Sequence, residues 1–109
     1  MKREYSLYLK DIIESINYIE KFTEDISFQD FKKDEKTASA VIRKLEIIGE
    51  ASKNIPLEIK HKHPDLPWAD MSKMRDKIIH SYFGVDYEIV WKTIKERLPE
   101  IKERLRSIT

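Results

Sequence analysis

The strongest constraint on this chain is how seldom it can turn: its 109 residues include two glycines, Gly49 and Gly84, and four prolines, Pro56, Pro64, Pro67 and Pro99. Strand hairpins need Gly- or Pro-containing steps at short intervals, so the long unpunctuated stretches predict an all-helical chain. Tyr5, Leu9, Ile12, Ile13, Ile16 and Ile19 recur at three- and four-residue steps and predict a first helix ending near Thr23. Ser27 is placed to cap a short turn through Phe28 and Phe31, and Asp34 to cap a second long helix. That helix puts Ala38, Val41, Ile42, Leu45, Ile48 and Ser52 on one side, with Gly49 at the edge of the stripe, where the missing side chain admits another helix. Pro56 stops it.

From Leu57 to Asp65 the text is a short helical turn or loop rich in Lys and His. Pro67 suits the first position of a third long helix running towards Phe83, Gly84 a left-handed cap that ends it, and Asp86 the cap of the next. Tyr87, Trp91, Ile94, Leu98, Ile101, Leu105 and Ile108 stay in phase across Pro99, so the last segment reads as one kinked helix. The expected fold is all-α: an up-and-down four-helix bundle with a short extra helix and a Pro-kinked C-terminal helix, forming one domain over residues 1–109.

Lys+Arg 21 against Asp+Glu 20 leaves a formal charge of +1, so no overall positive field gathers nucleic acid and any such contact must be local. The absence of cysteine excludes disulfides, thiolate metal sites and a cysteine nucleophile. No apolar run approaches the roughly 18 residues of a spanning helix, and Met1 to Lys10 lacks a signal-peptide core, so a cytoplasmic protein with no membrane partner is expected.

One segment does not read as scaffold. On an ideal helix Trp68, Met71, Ile79 and Tyr82 fall within about 40° of Arg75, which sets a guanidinium in an apolar stripe. Either it is paired structurally, for instance with Glu46 or Glu50, or the stripe borders a partner subunit or a cleft that receives phosphate. Asp76 precedes His80 by four residues, a spacing that on a helix lets its carboxylate hold one imidazole nitrogen. Tyr82 and Ser81 add hydroxyls. This set suits RNA cleavage without a metal: a base takes the ribose 2′-hydroxyl proton, the oxygen attacks the adjacent phosphate, and an acid protonates the departing oxygen. A two-fold dimer would supply the second acid–base group. Arg75 and His80 are about 140° apart on a straight helix, so a distorted helix, long side chains wrapping round it or two subunits are needed to bring them together.

At these residues the chain resembles the HepT-like branch of the HEPN superfamily, whose signature is Arg-x-x-x-x-His-x-Tyr, here Arg75-Asp-Lys-Ile-Ile-His80-Ser-Tyr82. Ala40-Val-Ile-Arg-Lys-Leu-Glu-Ile-Ile-Gly-Glu-Ala51, Pro67-Trp68 and Tyr82-Phe-Gly-Val-Asp86 through Trp91 extend the likeness over essentially the whole chain. The resemblance implies a HEPN-like bundle acting as a metal-independent ribonuclease toxin of a type II or type VII-like toxin–antitoxin pair. It further implies catalytic Arg75 and His80 in a homodimer cleft, a supporting Asp76, and no cofactor. The partner it implies is an MNT-type nucleotidyltransferase antitoxin, which can transfer AMP to the tyrosine at position 82. Bulk and negative charge there would block the substrate phosphate. The alternative is a catalytically weak helical binding module that this nucleotidyltransferase binds and adenylylates.

Lys73 and Lys77 flank the motif and are candidate RNA-backbone contacts, with an ordinary solvated face as the competing reading. His61-x-His63 with Asp65 is a poor metal site, because two-residue spacing splays the rings apart on a helix. Lys60, His61, Lys62 and His63 read as a solvated basic loop, and the alternating charges from Lys92 to Arg106 as an exposed salt-laced helix. Trp68 and Trp91 read as core or interface residues.

Overall fold

The computed structural model describes residues 4–80 and 84–109, except for the side chains of Ile79 and His80. Helix α1 (Tyr5–Thr23) buries Leu9, Ile12, Ile16 and Ile19 against α3 (Glu35–Lys53), which contributes Ala38, Val41, Leu45 and Ile48. The three-four spacing therefore becomes the central seam of an all-α bundle. Tyr5 lies outside it and is exposed. Two buried hydroxyls cost little because each finds a carbonyl one turn back: Thr23 Oγ1 donates to Ile19 at 2.8 Å and Ser52 Oγ to Ile48 at 2.7 Å.

The three expected caps form. Ser27 accepts from the Asp30 amide at 3.1 Å and opens the short α2 (Phe28–Lys33), and Asp34 accepts from the Thr37 amide at 3.0 Å to open α3. Asp86 accepts from the Ile89 amide at 3.1 Å and opens α7 (Tyr87–Lys92). Each satisfies a donor that a helix start leaves without a partner. After Pro56 the short α4 (Leu57–Lys62) leads to α5 (Trp68–Ser72). Trp68 is a core residue whose indole N–H donates to the His63 carbonyl at 3.0 Å. Gly49 lies at this contact, where a Cβ would sit 3.4 Å from the Ser72 carbonyl oxygen and 3.5 Å from that of Met71, ordinary van der Waals separations that leave room for a methyl group and little more.

The third long helix departs from expectation. It is interrupted at Lys73, resumes as α6 (Met74–Ile78), and gives way at Ile79 instead of running to Phe83. Ser72 Oγ donates to the Trp68 carbonyl at 2.9 Å, a back-bond of the kind that bends helices, and the β-branched Ile78-Ile79 pair favours extended backbone. Ile79–His80 (β1) pairs antiparallel with Gly84–Val85 (β2), in the register Ile79 with Val85 and His80 with Gly84. Gly84 has the expected left-handed φ of 78°, yet it serves this return strand and not a helix end.

The C-terminal helix is continuous through its proline. Between α7 and α8 (Leu98–Arg106) the residues Thr93–Arg97 form a π-helical turn, in which the Leu98 amide donates to the Thr93 carbonyl five residues back. Pro99 has no N–H to offer and its ring crowds the Lys95 carbonyl, and the wider turn accommodates both. The extra residue also moves the inward face upstream, so Val90 is fully buried and Trp91 only partly. Trp91 instead closes an aromatic cluster, with ring centroids 5.2 Å from Phe31 and 5.7 Å from Phe28. Lys95 Nζ donates to the Thr23 carbonyl at 3.1 Å, tying this turn to the electronegative end of α1.

Candidate functional site

A cavity of about 460 Å³ opens on the side of α3 opposite its packed stripe, bounded by Tyr8 and Asp11 of α1, Arg43, Glu46 and Glu50 of α3, and Ser72, Arg75 and Asp76 of α5–α6. Arg75 is not set within the apolar stripe. Once the helix is broken at Lys73, Met74 and Ile78 take the inward positions and the Arg75 side chain is 59% exposed at the cavity. Its Nε lies 3.7 Å from Glu46 Oε1, one of the two partners the sequence offered. The other Glu46 oxygen lies 3.7 Å from Arg43 Nη1. Both distances exceed an N–H···O hydrogen bond, so these are loose ion pairs that leave guanidinium donors available.

Asp76 lines the same cavity as Arg75. Because α6 ends at Ile78, Asp76 and His80 do not share a helix face, and the one-turn pairing expected of them does not apply in that form. The separation of about 140° expected of Arg75 and His80 on one straight helix therefore does not describe this segment. The His80 backbone is paired with Gly84, while its side chain, like Ser81 and Tyr82 entire, falls outside the described residues.

Lys77 does not line this cavity. Its Nζ donates to Asp70 Oδ1 at 3.1 Å, Arg97 Nη2 donates to Asp70 Oδ2 at 3.2 Å, and exposed Lys73 adds its charge nearby. The Lys77 hydrogen bond, then its charge, outweigh a slight desolvation and hold the Asp70 carboxyl below its ordinary pKa, with smaller help from Arg97 and Lys73. Among the described residues no group of three or more His, Asp or Glu side chains is arranged to hold a metal ion. No helix among them is long and apolar enough to cross a membrane. Sequence reasoning missed Arg43, although Arg43, Glu46, Ile47, Glu50 and Asn54 recur at helical spacing opposite the buried stripe.

An all-α bundle with its helix-interrupting Arg-x-x-x-x-His segment beside a polar cavity defines the class, and the chain belongs to the ribonuclease HepT-like family, whose model matches residues 12–108. It is 56% identical over 108 residues to a probable ribonuclease HepT of Thermococcus cleftensis, covering 99% of this chain and 98% of that one. It is 45% identical to a protein of Methanocaldococcus jannaschii named as a candidate RNase, covering 98% of this chain and 92% of the relative. A candidate RNase of Caldanaerobacter subterraneus is also 45% identical, with 93% and 90% covered. No solved structure matches.

Proposed function

We propose that residues 1–109 act as one HepT-like domain and that the protein is a cytoplasmic, metal-independent endoribonuclease toxin of a type II or type VII-like toxin–antitoxin pair. The observation that carries this reading is the exposed Arg75 on the polar cavity, five residues before His80 on a chain that has just left its helix. Arg75 binds the scissile phosphate and stabilises the charge that grows on it. His80 transfers the proton, and Asp76 supports it. The 2′-hydroxyl gives up its proton, its oxygen bonds to phosphorus, the bond to the 5′-oxygen breaks, and that oxygen is protonated; the products are a 2′,3′-cyclic phosphate and a 5′-hydroxyl. One imidazole is ill-suited to both proton transfers in one step, so a homodimer cleft supplies the second.

The partner under this reading is an MNT-type nucleotidyltransferase that silences the site by placing AMP on Tyr82. Lys73, which is exposed, and Lys77 serve as RNA-backbone contacts, Lys77 by exchanging Asp70 for phosphate. The ion pair of Arg75 with Glu46 favours a second reading, a binding module whose arginine is already neutralised and whose chief role is to be adenylylated. The test is RNA cleavage in chelator by the parent, Arg75→Ala and His80→Ala. Cutting by the parent alone supports the nuclease. No cutting by the unmodified parent favours the binding module, and equal cutting by His80→Ala contradicts the assigned site. A mass increase matching AMP, lost in Tyr82→Phe after incubation with the partner and ATP, checks the modification.

A further inference from the structure

Two guanidiniums share one carboxylate on the wall of this cavity. Glu46 offers Oε2 to Arg43 Nη1 and Oε1 to Arg75 Nε, each at 3.7 Å, while Arg43 and Arg75 keep 70% and 59% of their side chains exposed. Glu46 itself is only 31% exposed, so the anion is the more enclosed member and the cations stand outside it. One negative charge between two positive ones leaves a net positive pair. Neither contact is short enough to consume an N–H donor, so both planar forks remain able to grip oxygen. The neighbouring cation Lys53 is already directed to Glu50 at 3.4 Å, which leaves the arginine pair as the cationic side of the cavity against Asp11 and Asp76. A phosphate entering here therefore meets donors from two helices, α3 and α6.

We infer that Arg43 is a second phosphate-binding residue of the site, seating a phosphate next to the scissile one in a single-stranded RNA, and that Glu46 is the positioning residue that holds Arg43 and Arg75 on one side of the cavity. This rests on the nuclease reading for the identity of the strand. The arginine pair itself rests on geometry.

The probe is a 2′-O-methyl single-stranded oligonucleotide, which binds but offers no 2′-hydroxyl, titrated at several salt concentrations alongside cleavage of the matching RNA. Removing one phosphate contact lowers the slope of log K against log salt by about 0.7 for a single strand. Arg43→Ala is expected to show that drop, roughly fivefold or more weaker binding at low salt, and a loss that falls on KM more than on kcat. Lys33→Ala, a charge removed from exposed α2, keeps the parent slope. Glu46→Gln removes the shared anion while keeping its shape, and is expected to bind the probe more tightly yet cut RNA more slowly, a split that simple destabilisation does not produce. An unchanged slope in Arg43→Ala, an equal drop in Lys33→Ala, or parallel losses of binding and kcat in Glu46→Gln overturn the inference. A parent that binds the probe with the Arg43-dependent slope but cuts no RNA retains the arginine seat and rejects the nuclease. A parent that cuts RNA while Arg43→Ala binds and cuts as well as it does rejects the seat alone.

Discussion

Two stretches of this bundle interrupt an otherwise helical pattern, and they do so to opposite ends. At Pro99 the missing donor is absorbed inside the helix by a π-helical turn, and Val90, Ile94, Leu98, Ile101 and Leu105 still reach the core without a gap. At Lys73 and again at Ile79 the helix gives way, and Arg75, which one straight helix would have placed against the core, is released to the surface. The difference lies in what each interruption has beside it. The C-terminal turn is enclosed by Phe28, Phe31 and the Lys95 contact to Thr23, whereas α6 follows directly on carbonyls packed against a glycine and ends in a two-residue ladder. A break that keeps its hydrophobic face builds scaffold, and a break that changes which residues face outward builds a site.

The contrast can be broken most directly by truncating one residue in each stretch. Arg75→Ala is expected to lower kcat by about 10²–10³-fold while changing unfolding free energy by no more than about 0.5 kcal/mol, because the side chain is exposed and its ion pair is long. Leu98→Ala, fully buried beside Pro99, reverses this: it should cost about 2–5 kcal/mol in denaturant unfolding and leave cleavage per folded molecule nearly intact. Equal stability losses from the two would erase the distinction between the stretches. Gly49 probes the boundary between them. Gly49→Ala sits at ordinary van der Waals distance from the Met71 and Ser72 carbonyls and should change stability by less than about 1 kcal/mol, whereas Gly49→Val adds atoms with nowhere to go and should cost about 1–3 kcal/mol, read from the urea midpoint.

The smallest effect concerns pH. The Thr37 hydroxyl and amide hydrogen bonds hold the Asp34 carboxyl below its ordinary value of 3.8. A depressed carboxyl stabilises the fold fully above its unfolded value and loses that contribution as pH falls through its folded one. The stability gap between the parent and Asp34→Ala should therefore be constant near neutrality and shrink once pH drops below about 4. A gap that persists unchanged at pH 2 would mean the carboxylate charge does not contribute to capping α3.

How much of this was legible beforehand follows from the range of the forces. Ser27, Asp34 and Asp86 act on amides three residues away, so the caps are written locally, and the apolar spacing of α1, α3 and the C-terminal helix carries the bundle. The third helix misleads because Trp68, Met71, Arg75, Ile79 and Tyr82 keep an unbroken period, whereas the break rests on the Ser72 back-bond, the carbonyls facing Gly49 and the pairing of Ile79 with Val85. None of these is visible in a window of helical spacing. Glu46 was foreseeable as a partner for Arg75, but that it bridges to Arg43 emerges only when α3 and α6 are set side by side.

The most direct test of the account is the chemistry of the cut end. Parent protein in chelator, given matched RNA and 2′-O-methyl strands, should cleave only the RNA and leave a 2′,3′-cyclic phosphate that disappears with Arg75→Ala. Cleavage of the 2′-O-methyl strand, cleavage that requires added divalent metal, or an undiminished product from Arg75→Ala would contradict it.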